Sequence, residues 1–396
     1  MKIYLVGGAI RDHLLNLPVK DKDWVIVGTT PQEILKLGFK PVGKGFPVFL
    51  HPVTGEEYAL ARTEKKSGKG YTGFTCYTAP NVSLQQDLQR RDLTINAIAC
   101  DENGKYVDPF NGRKDLASRI IRHISSNFRD DPLRVLRVAR FAACYAHLDF
   151  TVAHETLMLM RSMSQNGELI QLTAERIWKE TELALQSPHP QRYFQVLQEC
   201  NALDKIFPEL ARLYEIPISK DMNMGSHTLR SLSIVAQLST QIEVRFATLC
   251  HNFGTLSHFN HGSSEEKLIQ CFCQRLRVPK SVQKFALLAT KLSSLVHHID
   301  KLQPCMVIKL FNHLDAWRKP YRIEQLSLVS EADARAYREK TILYPQGEYL
   351  RTMFQIANKI SVKKIIEQGF QGIKIHQELS KQRCQKISEW KVKNFI

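Results

Sequence analysis

The first 27 residues of this 396-residue chain constrain it most. Residues 3–6 form a β-rich run that stops at Gly7-Gly8, residues 11–15 have helical character, and residues 24–27 form a second apolar run preceded by Asp21-Lys22-Asp23. A strand that ends on two glycines and enters a helix makes a tight turn. Its backbone N–H groups can approach an anion closely because no Cβ intervenes. Arg11 adds a positive charge there. Residues i and i+2 of a strand project to the same face, so Asp21 and Asp23 converge and can hold divalent cations. Paired ions of that kind serve phosphoryl transfer, one activating the attacking oxygen and the other neutralising the leaving group. Taken singly, each feature also fits an ordinary tight turn or a solvated Asp-x-Asp turn.

The rest of the first 115 residues reads as α/β. Thr30 can cap a helix that begins at Pro31. Residues 48–50 and 58–61 read as strands joined by a turn over 51–55, and the basic, glycine-rich stretch 65–73 reads as a mobile loop. Glu56 and Glu57, just before a strand, are candidates for a third carboxylate. Beyond residue 115 helical spacing takes over. Residues 131–146 carry Leu, Val and Ala at intervals of three and four, with Pro132 in the first turn, and the texture stays helical to a basic end containing Lys381, Arg383, Lys386, Lys391 and Lys393.

Fifty-five Lys and Arg against 39 Asp and Glu give a net charge of +16, which favours a polyanionic partner, most often nucleic acid. No apolar run approaches the roughly 18 residues of a membrane span. The start of the chain leads directly into strand, with no signal-peptide core. The nine cysteines are scattered and odd in number, as expected of reduced thiols. These features place the protein in the cytoplasm.

Two further motifs carry chemistry. In Arg90-Arg91-Asp92-Leu93-Thr94-Ile95-Asn96-Ala97, Arg91 can pair with a triphosphate, and Asp92 and Asn96 are spaced one helical turn apart; alternatively, Asp92 buttresses an arginine. In Asp130-Asp131-Pro132-Leu133-Arg134, running on to Arg137 and Arg140, a carboxylate can accept from an exocyclic amine while an arginine fork donates to base acceptors. An Asp130–Arg134 ion pair on a solvated face is the simpler reading of the same spacing.

The run L-V-G-G-A-I-R-D-H-L-L-N-L-P-V-K-D-K-D-W, with these two motifs, resembles the polymerase-β-like nucleotidyltransferases. Within that superfamily it is similar to the class II tRNA nucleotidyltransferases, the bacterial CCA-adding enzymes and their poly(A) polymerase relatives. The resemblance extends to about residue 390. It implies an α+β fold: a nucleotidyltransferase head of mixed sheet plus helices over 1–115, then an all-α neck (116–150), RNA-binding body (151–215), HD-like helical domain (216–325) and basic tail (326–396). It further implies Mg2+ on Asp21 and Asp23, a triphosphate on Gly8, Arg11 and Arg91, the bases of CTP and ATP on Asp131 and Arg134, and nucleotide contacts from Arg137 and Arg140. The implied partner is tRNA, with no membrane and no protein partner, and the implied product is C-C-A. The chain departs from the family once here, with Asp130 where a Glu is usual. Arg62-Thr63-Glu64 and the loop with Gly68, Gly70 and Gly73 match the family's flexible loop.

Long members of this group carry an HD phosphohydrolase domain, which needs a His, a His-Asp pair and a further Asp. The matching stretch offers His227, then His251-Asn252, with His258 and His261 nearby and no Asp or Glu over 292–298. The expectation is a retained scaffold without the hydrolytic chemistry. Three alternatives remain: a poly(A) polymerase, against which stand the start at the catalytic strand and the lack of an Arg-rich tail; a basic RNA-binding module with a retired active site; and a primarily hydrolytic HD protein, disfavoured by Asn252.

Overall fold

The computed structural model describes residues 1–19, 21–42, 48–66, 74–258, 265–337 and 343–395. Gly68, Gly70, Gly73 and His261 lie outside the described residues, as does the side chain of His258. Two compact units emerge, one of Met1–Glu180 with Gln195–Ile206, the other of Thr181–Phe194 with Phe207–Ile396.

The first unit is built on a seven-stranded sheet. Its strands are β1 (Lys2–Val6), β2 (Asp23–Val27), β3 (Lys40–Val42), β4 (Val48–Leu50) and β5 (Glu57–Leu60). A separate hairpin pairs β6 (Thr63–Lys66) with β7 (Phe74–Tyr77), and β8 (Ala99–Asp101) and β9 (Tyr106–Val107) complete the sheet. The order is β3-β4-β5-β2-β1-β8-β9, parallel only between β2 and β5. Both faces of β2 are covered. Val25 and Val27 pack with Val6, Leu88, Ala97 and Ala99, while Trp24 and Ile26 pack with Ile34, Phe49 and Tyr58. This explains the unbroken apolar run of β2, since a strand buried on both sides loses the polar-apolar alternation.

The helices of this unit are short at first. α1 (Gly8–Leu14) leaves the Gly7-Gly8 turn, and α2 (Pro31–Lys36) starts with Thr30 and Glu33 closing a capping box. α3 (Leu84–Gln89) and α4 (Gly112–Ala117) flank a 3-10 turn, Thr94–Asn96. The long run expected over 131–146 is α5 (Leu133–Tyr145), whose Leu133, Val135, Leu136, Val138, Ala139 and Ala142 are buried. Arg134, Arg137 and Phe141 then fall at intervals of three and four on one side of α5. α6 (His154–Gln165) and α7 (Ala174–Leu185) follow.

The second unit is almost wholly helical. Met224–Leu238, Ile242–Cys250, Lys280–His297 and Tyr321–Ala336 pack against one another. Arg245 is buried among them and is fully used, donating to the carbonyls of Ser239, Leu185, Ser187 and Ala236. The last helix, Ile373–Phe395, carries the basic tail. Three of its cations have partners within the chain: Lys391 donates to the carbonyls of Ile299, Asp300 and Leu302, Lys386 pairs with Glu389, and Arg383 stacks on Trp317 at 3.4 Å. All nine cysteines are free, and no described helix is long and apolar enough to cross a membrane.

One packing contact fixes the 3-10 turn. A Cβ added to Gly112 would sit 2.2 Å from the Thr94 carbonyl oxygen, and backbone cannot give way as a flexible side chain can. Gly112→Ala is therefore expected to cost about 1–3 kcal/mol, as overpacking does, and to lower the urea midpoint; a wild-type midpoint would show that α4 does not seat on that carbonyl.

Candidate active site

Asp23 opens β2 and lies directly across from Val6 in the antiparallel register, next to the Gly7-Gly8 turn. On its other side it faces Glu57 in the parallel register with β5. Directly paired residues share a face, so of the two candidate third carboxylates Glu57 lies in the row of Asp23. Glu56 faces the other way, accepting from Trp24 Nε1 at 3.0 Å and lying 3.8 Å from Lys22. Asp21 is exposed just ahead of β2.

The Gly7-Gly8 turn depends on Gly7 more than on Gly8. Gly7 has φ +73°, a left-handed conformation that disfavours a Cβ, and a Cβ there would meet Arg91 Nη1 at 2.9 Å. Gly8 is less constrained, since a Cβ added to it would meet only the guanidinium end of Arg11, at 3.4 Å. Arg11 is buried. It donates to Asn96 Oδ1 at 2.5 Å and Asp12 Oδ1 at 2.9 Å, and its guanidinium carbon lies 5.2 Å from the ring centroids of both Phe141 and Tyr145.

Asn96 relays this arrangement inward. Its Nδ2 donates to Asp92 Oδ1 at 3.0 Å, and Arg137 Nε donates to Asp92 Oδ2 at 2.7 Å. Burial pushes the Asp92 carboxyl up, but Arg137 and the hydrogen bonds from Asn96 and Arg137 more than offset it and hold the group well below the usual carboxylate range. Asp92 thus buttresses Arg137, and the Asp92–Asn96 spacing read from the motif is realised as a hydrogen bond.

Arg91 reaches the same space. It pairs with Asp87 at 3.3 Å, while its buried Nε has no hydrogen-bond partner. Burial pulls its pKa down, and the nearby carboxylates of Asp87 and Asp23 act against that. From α5, Arg134 donates to the carbonyls of Arg90 (2.6 Å) and Asn127 (2.8 Å), not to Asp130. Asp131 is gripped by Arg176 of α7, and Glu180 of the same helix holds Arg140 at 2.6 Å and lies 3.8 Å from Arg137.

These groups surround a cavity of about 1100 Å³. Gly8, Arg11, Asp23, Arg91, Asp131, Arg134 and Arg137 all line it. Asp21 does not, and neither does Arg140, whose guanidinium is taken by Glu180. Gly7 of the glycine pair lines it as well, and so do Phe141, Gln171, Thr173 and Arg176, which no sequence motif singled out. The carboxylates of Glu64, Asp92 and Asp131 are all occupied by arginines. Asp21 and Asp23 have no hydrogen-bond or ion-pair partner among the described residues. An open carboxylate beside unspent guanidinium donors fits a divalent cation bound together with an anionic ligand.

The second unit contains another cluster. His227, His251 and Asp333 bring their ligand atoms within 4.8 Å of one another. His251 Nε2 lies 2.7 Å from Asp333 Oδ1, His297 Nε2 lies 2.9 Å from Asp333 Oδ2, and His227 Nε2 lies 3.6 Å from Oδ1. The acid sought over 292–298 is thus supplied from the helix Tyr321–Ala336 instead. Asn252 sends its Nδ2 to Thr228 Oγ1 at 3.0 Å.

Residues 3–122 match the poly A polymerase head domain, and residues 149–213 match the probable RNA and SrmB-binding site of polymerase A. The first of these matches covers the sheet-bearing part of the chain. Over nearly its whole length the chain has the fold seen in CCA-adding enzymes. It is similar to the Bacillus stearothermophilus CCA-adding enzyme solved with CTP (24% identity, 98% of this chain and 89% of that one, TM-score 0.66). It is likewise similar to the Thermotoga maritima CCA-adding enzyme complexed with tRNA (20%, 98% and 87%, TM-score 0.66), and to a CCA-adding enzyme complexed with ATP (20%, 98% and 86%, TM-score 0.68).

The depressed Asp92 makes stability depend on pH. A carboxyl held low in the folded state stabilises above its ordinary value of 3.8, and that contribution is lost as pH falls. Asp92→Asn should cost about 1.5–3 kcal/mol at pH 7, with the gap to wild type narrowing below about pH 5. Urea titrations at pH 7 and pH 4 check this; a gap independent of pH would refute the ionised pair.

Proposed function

We propose that this protein is a CCA tRNA nucleotidyltransferase, adding and repairing the 3′-terminal C-C-A of tRNA from CTP and ATP without a template and releasing pyrophosphate. The observation that carries the reading is the shared cavity, where Asp23 and Arg91 lie together with the Asp131/Arg134 pair. A chemistry end and a base-reading end then serve one nucleotide. The similar folds solved with CTP, ATP and tRNA support the same substrates.

Asp21 and Asp23 hold the metal, proposed as Mg2+. When bound, it supplies charge neutralisation around the reacting phosphate. The backbone of the Gly7-Gly8 turn, Arg11 and the unspent Nε of Arg91 receive the triphosphate. Asp131 accepts from the exocyclic amine of cytosine or adenine, and Arg134 donates to ring and carbonyl acceptors. Arg137, braced by Asp92, supports the nucleotide from the next turn of α5, and Arg140 acts through Glu180 and Phe141. The RNA 3′-OH attacks the α-phosphate and pyrophosphate leaves. The basic helical surface holds tRNA by backbone and shape, in a reducing cytoplasm that suits the nine free thiols.

The helical unit has lost HD-type hydrolysis on this reading. Asn252 offers a neutral amide where a bridging carboxylate is wanted, and both oxygens of Asp333 are taken up by histidines. A metal-dependent 2′,3′-cyclic phosphodiesterase or phosphatase activity that disappears in His251→Ala would overturn this.

The test of the main activity uses tRNA lacking its last three nucleotides, with CTP, ATP and Mg2+. Two C and one A are expected, and then a stop. Long A tails would instead make the protein a poly(A) polymerase, and binding without addition would make it an RNA-binding module. Asp23→Ala and Asp21→Ala should each abolish incorporation while tRNA binding persists; retained activity would exclude the metal assignment.

A further inference from the structure

We propose that Tyr145 is a positioning residue for the triphosphate: from outside the cavity it holds Arg11 and Asp12 so that the uncommitted N–H groups of Arg11 meet the phosphates. The inference rests on the nucleotidyltransferase reading above. Tyr145 ends α5, and neither it nor Asp12 lines the cavity, whereas Arg11 does. The Tyr145 hydroxyl donates to Asp12 Oδ1 at 3.2 Å. Arg11 Nε donates to the same oxygen at 2.9 Å, and Arg11 Nη2 lies 2.9 Å from it. Burial pushes the Tyr145 pKa up, against the nearby charge of Arg11, so the hydroxyl keeps its proton and stays a donor.

The ring matters beside the hydroxyl. Tyr145 follows Phe141 by one helical turn, and the two rings lie 5° from parallel with centroids 6.1 Å apart. The Arg11 guanidinium carbon sits 5.2 Å from both centroids. The buried ring of Phe150 packs against Tyr145 at 5.4 Å. The guanidinium is thus seated on two aromatic faces, and its rotation is fixed by an oxygen that Tyr145 itself holds.

An arginine side chain has five N–H groups. Three of those on Arg11 are committed: one each on Nε and Nη2 toward Asp12, and one on Nη1 toward Asn96. One remains on each Nη, and Nη2 borders the glycine turn, 3.4 Å from where a Gly8 Cβ would stand. Those are the donors that a triphosphate on the turn would meet. An arginine free to rotate would spend part of the binding energy on being ordered. On this reading α5 carries the base-reading pair at its start and the seat of the phosphate-facing arginine at its end.

The test measures equilibrium binding of CTP and of CMP, each with Mg2+, to the full-length protein. Tyr145→Phe keeps the ring and loses the hydroxyl. CTP binding should weaken about threefold to tenfold, the range for one hydrogen bond, and CMP binding should not change, because CMP lacks the β- and γ-phosphates. Tyr145→Leu loses the ring as well and should weaken CTP further, again sparing CMP. In an Arg11→Ala background Tyr145→Phe should cause no further loss, because the two act as one unit. Equal losses for CTP and CMP, as a purely structural tyrosine would give, overturn the proposal. So does an unchanged CTP affinity in Tyr145→Phe, or a loss that persists without Arg11. If CMP binds too weakly to read, inorganic triphosphate replaces it: its binding should weaken by the same factor as that of CTP, and a smaller loss overturns the proposal. If Tyr145→Leu does not fold, judged by circular dichroism, Tyr145→Phe alone decides. A wild type that binds CTP but adds nothing to tRNA would sink the function proposed above, while the comparison of ligands still decides this inference.

Discussion

The candidate site depends on a buried relay running from the Gly7-Gly8 turn to α5. Arg11 donates to Asn96, Asn96 donates to Asp92, and Arg137 donates to the other oxygen of Asp92. Asp92 and Asn96 are both buried, so breaking one link would leave a charge or amide without a partner where water cannot replace it. The relay ties the first glycine turn, the 3-10 turn and α5 into one body. Phe141 completes it by facing the guanidinium groups of Arg11, Arg137 and Arg140 at 4.2–5.7 Å. Three like charges are tolerated so close together because each has its own acceptor and they share an electron-rich ring.

Much of the chemistry end was legible in the sequence because it is local. A strand, two glycines and a helix lie within 14 residues, and Asp-x-Asp opens the next strand. The β1–β2 register then brings Asp23 beside the turn with no long-range information needed beyond antiparallel pairing. Arg91, Asp131, Arg134 and Arg137 were legible through motif spacing, and all four reach the cavity. A nucleotide contact for Arg140 was implied by the family resemblance alone. Its partner Glu180 lies 40 residues on, in a helix whose sequence gives no hint of where it docks.

Arg176 and Asp333 escaped the sequence reading for the same reason. Each completes a constellation from a helix distant in sequence, 45 residues from Asp131 in one case and 82 from His251 in the other. Helical periodicity identifies which face of a helix is apolar, but not which partner its polar residues meet. The stretch 292–298 holds no acid and supplies His297, while the cluster's carboxylate comes from the helix packed against it. His297 contributes in turn to occupying Asp333, and it also faces the Tyr344 hydroxyl at 2.9 Å. The cluster thus sets one acid, Asp333, among imidazoles, with the neutral amide of Asn252 bonded to Thr228 nearby.

A protein edge that replaces a nucleic-acid template has to be stiffer than a pocket that merely encloses a ligand. Cytosine and uracil differ at this edge by an amine against a carbonyl, so discrimination requires that the reading atoms cannot turn to suit the wrong base. The residues around α5 meet that requirement. Asp131 and Arg134 are held by partners that are not the substrate. Carbonyl partners suit Arg134 because they cannot lose a proton, and a guanidinium fork suits Asp131 because it matches both oxygens in one plane. On the proposed function, the reader would therefore be organised before the base arrives, and the energy of base contact would go into selection with little of it spent on ordering side chains.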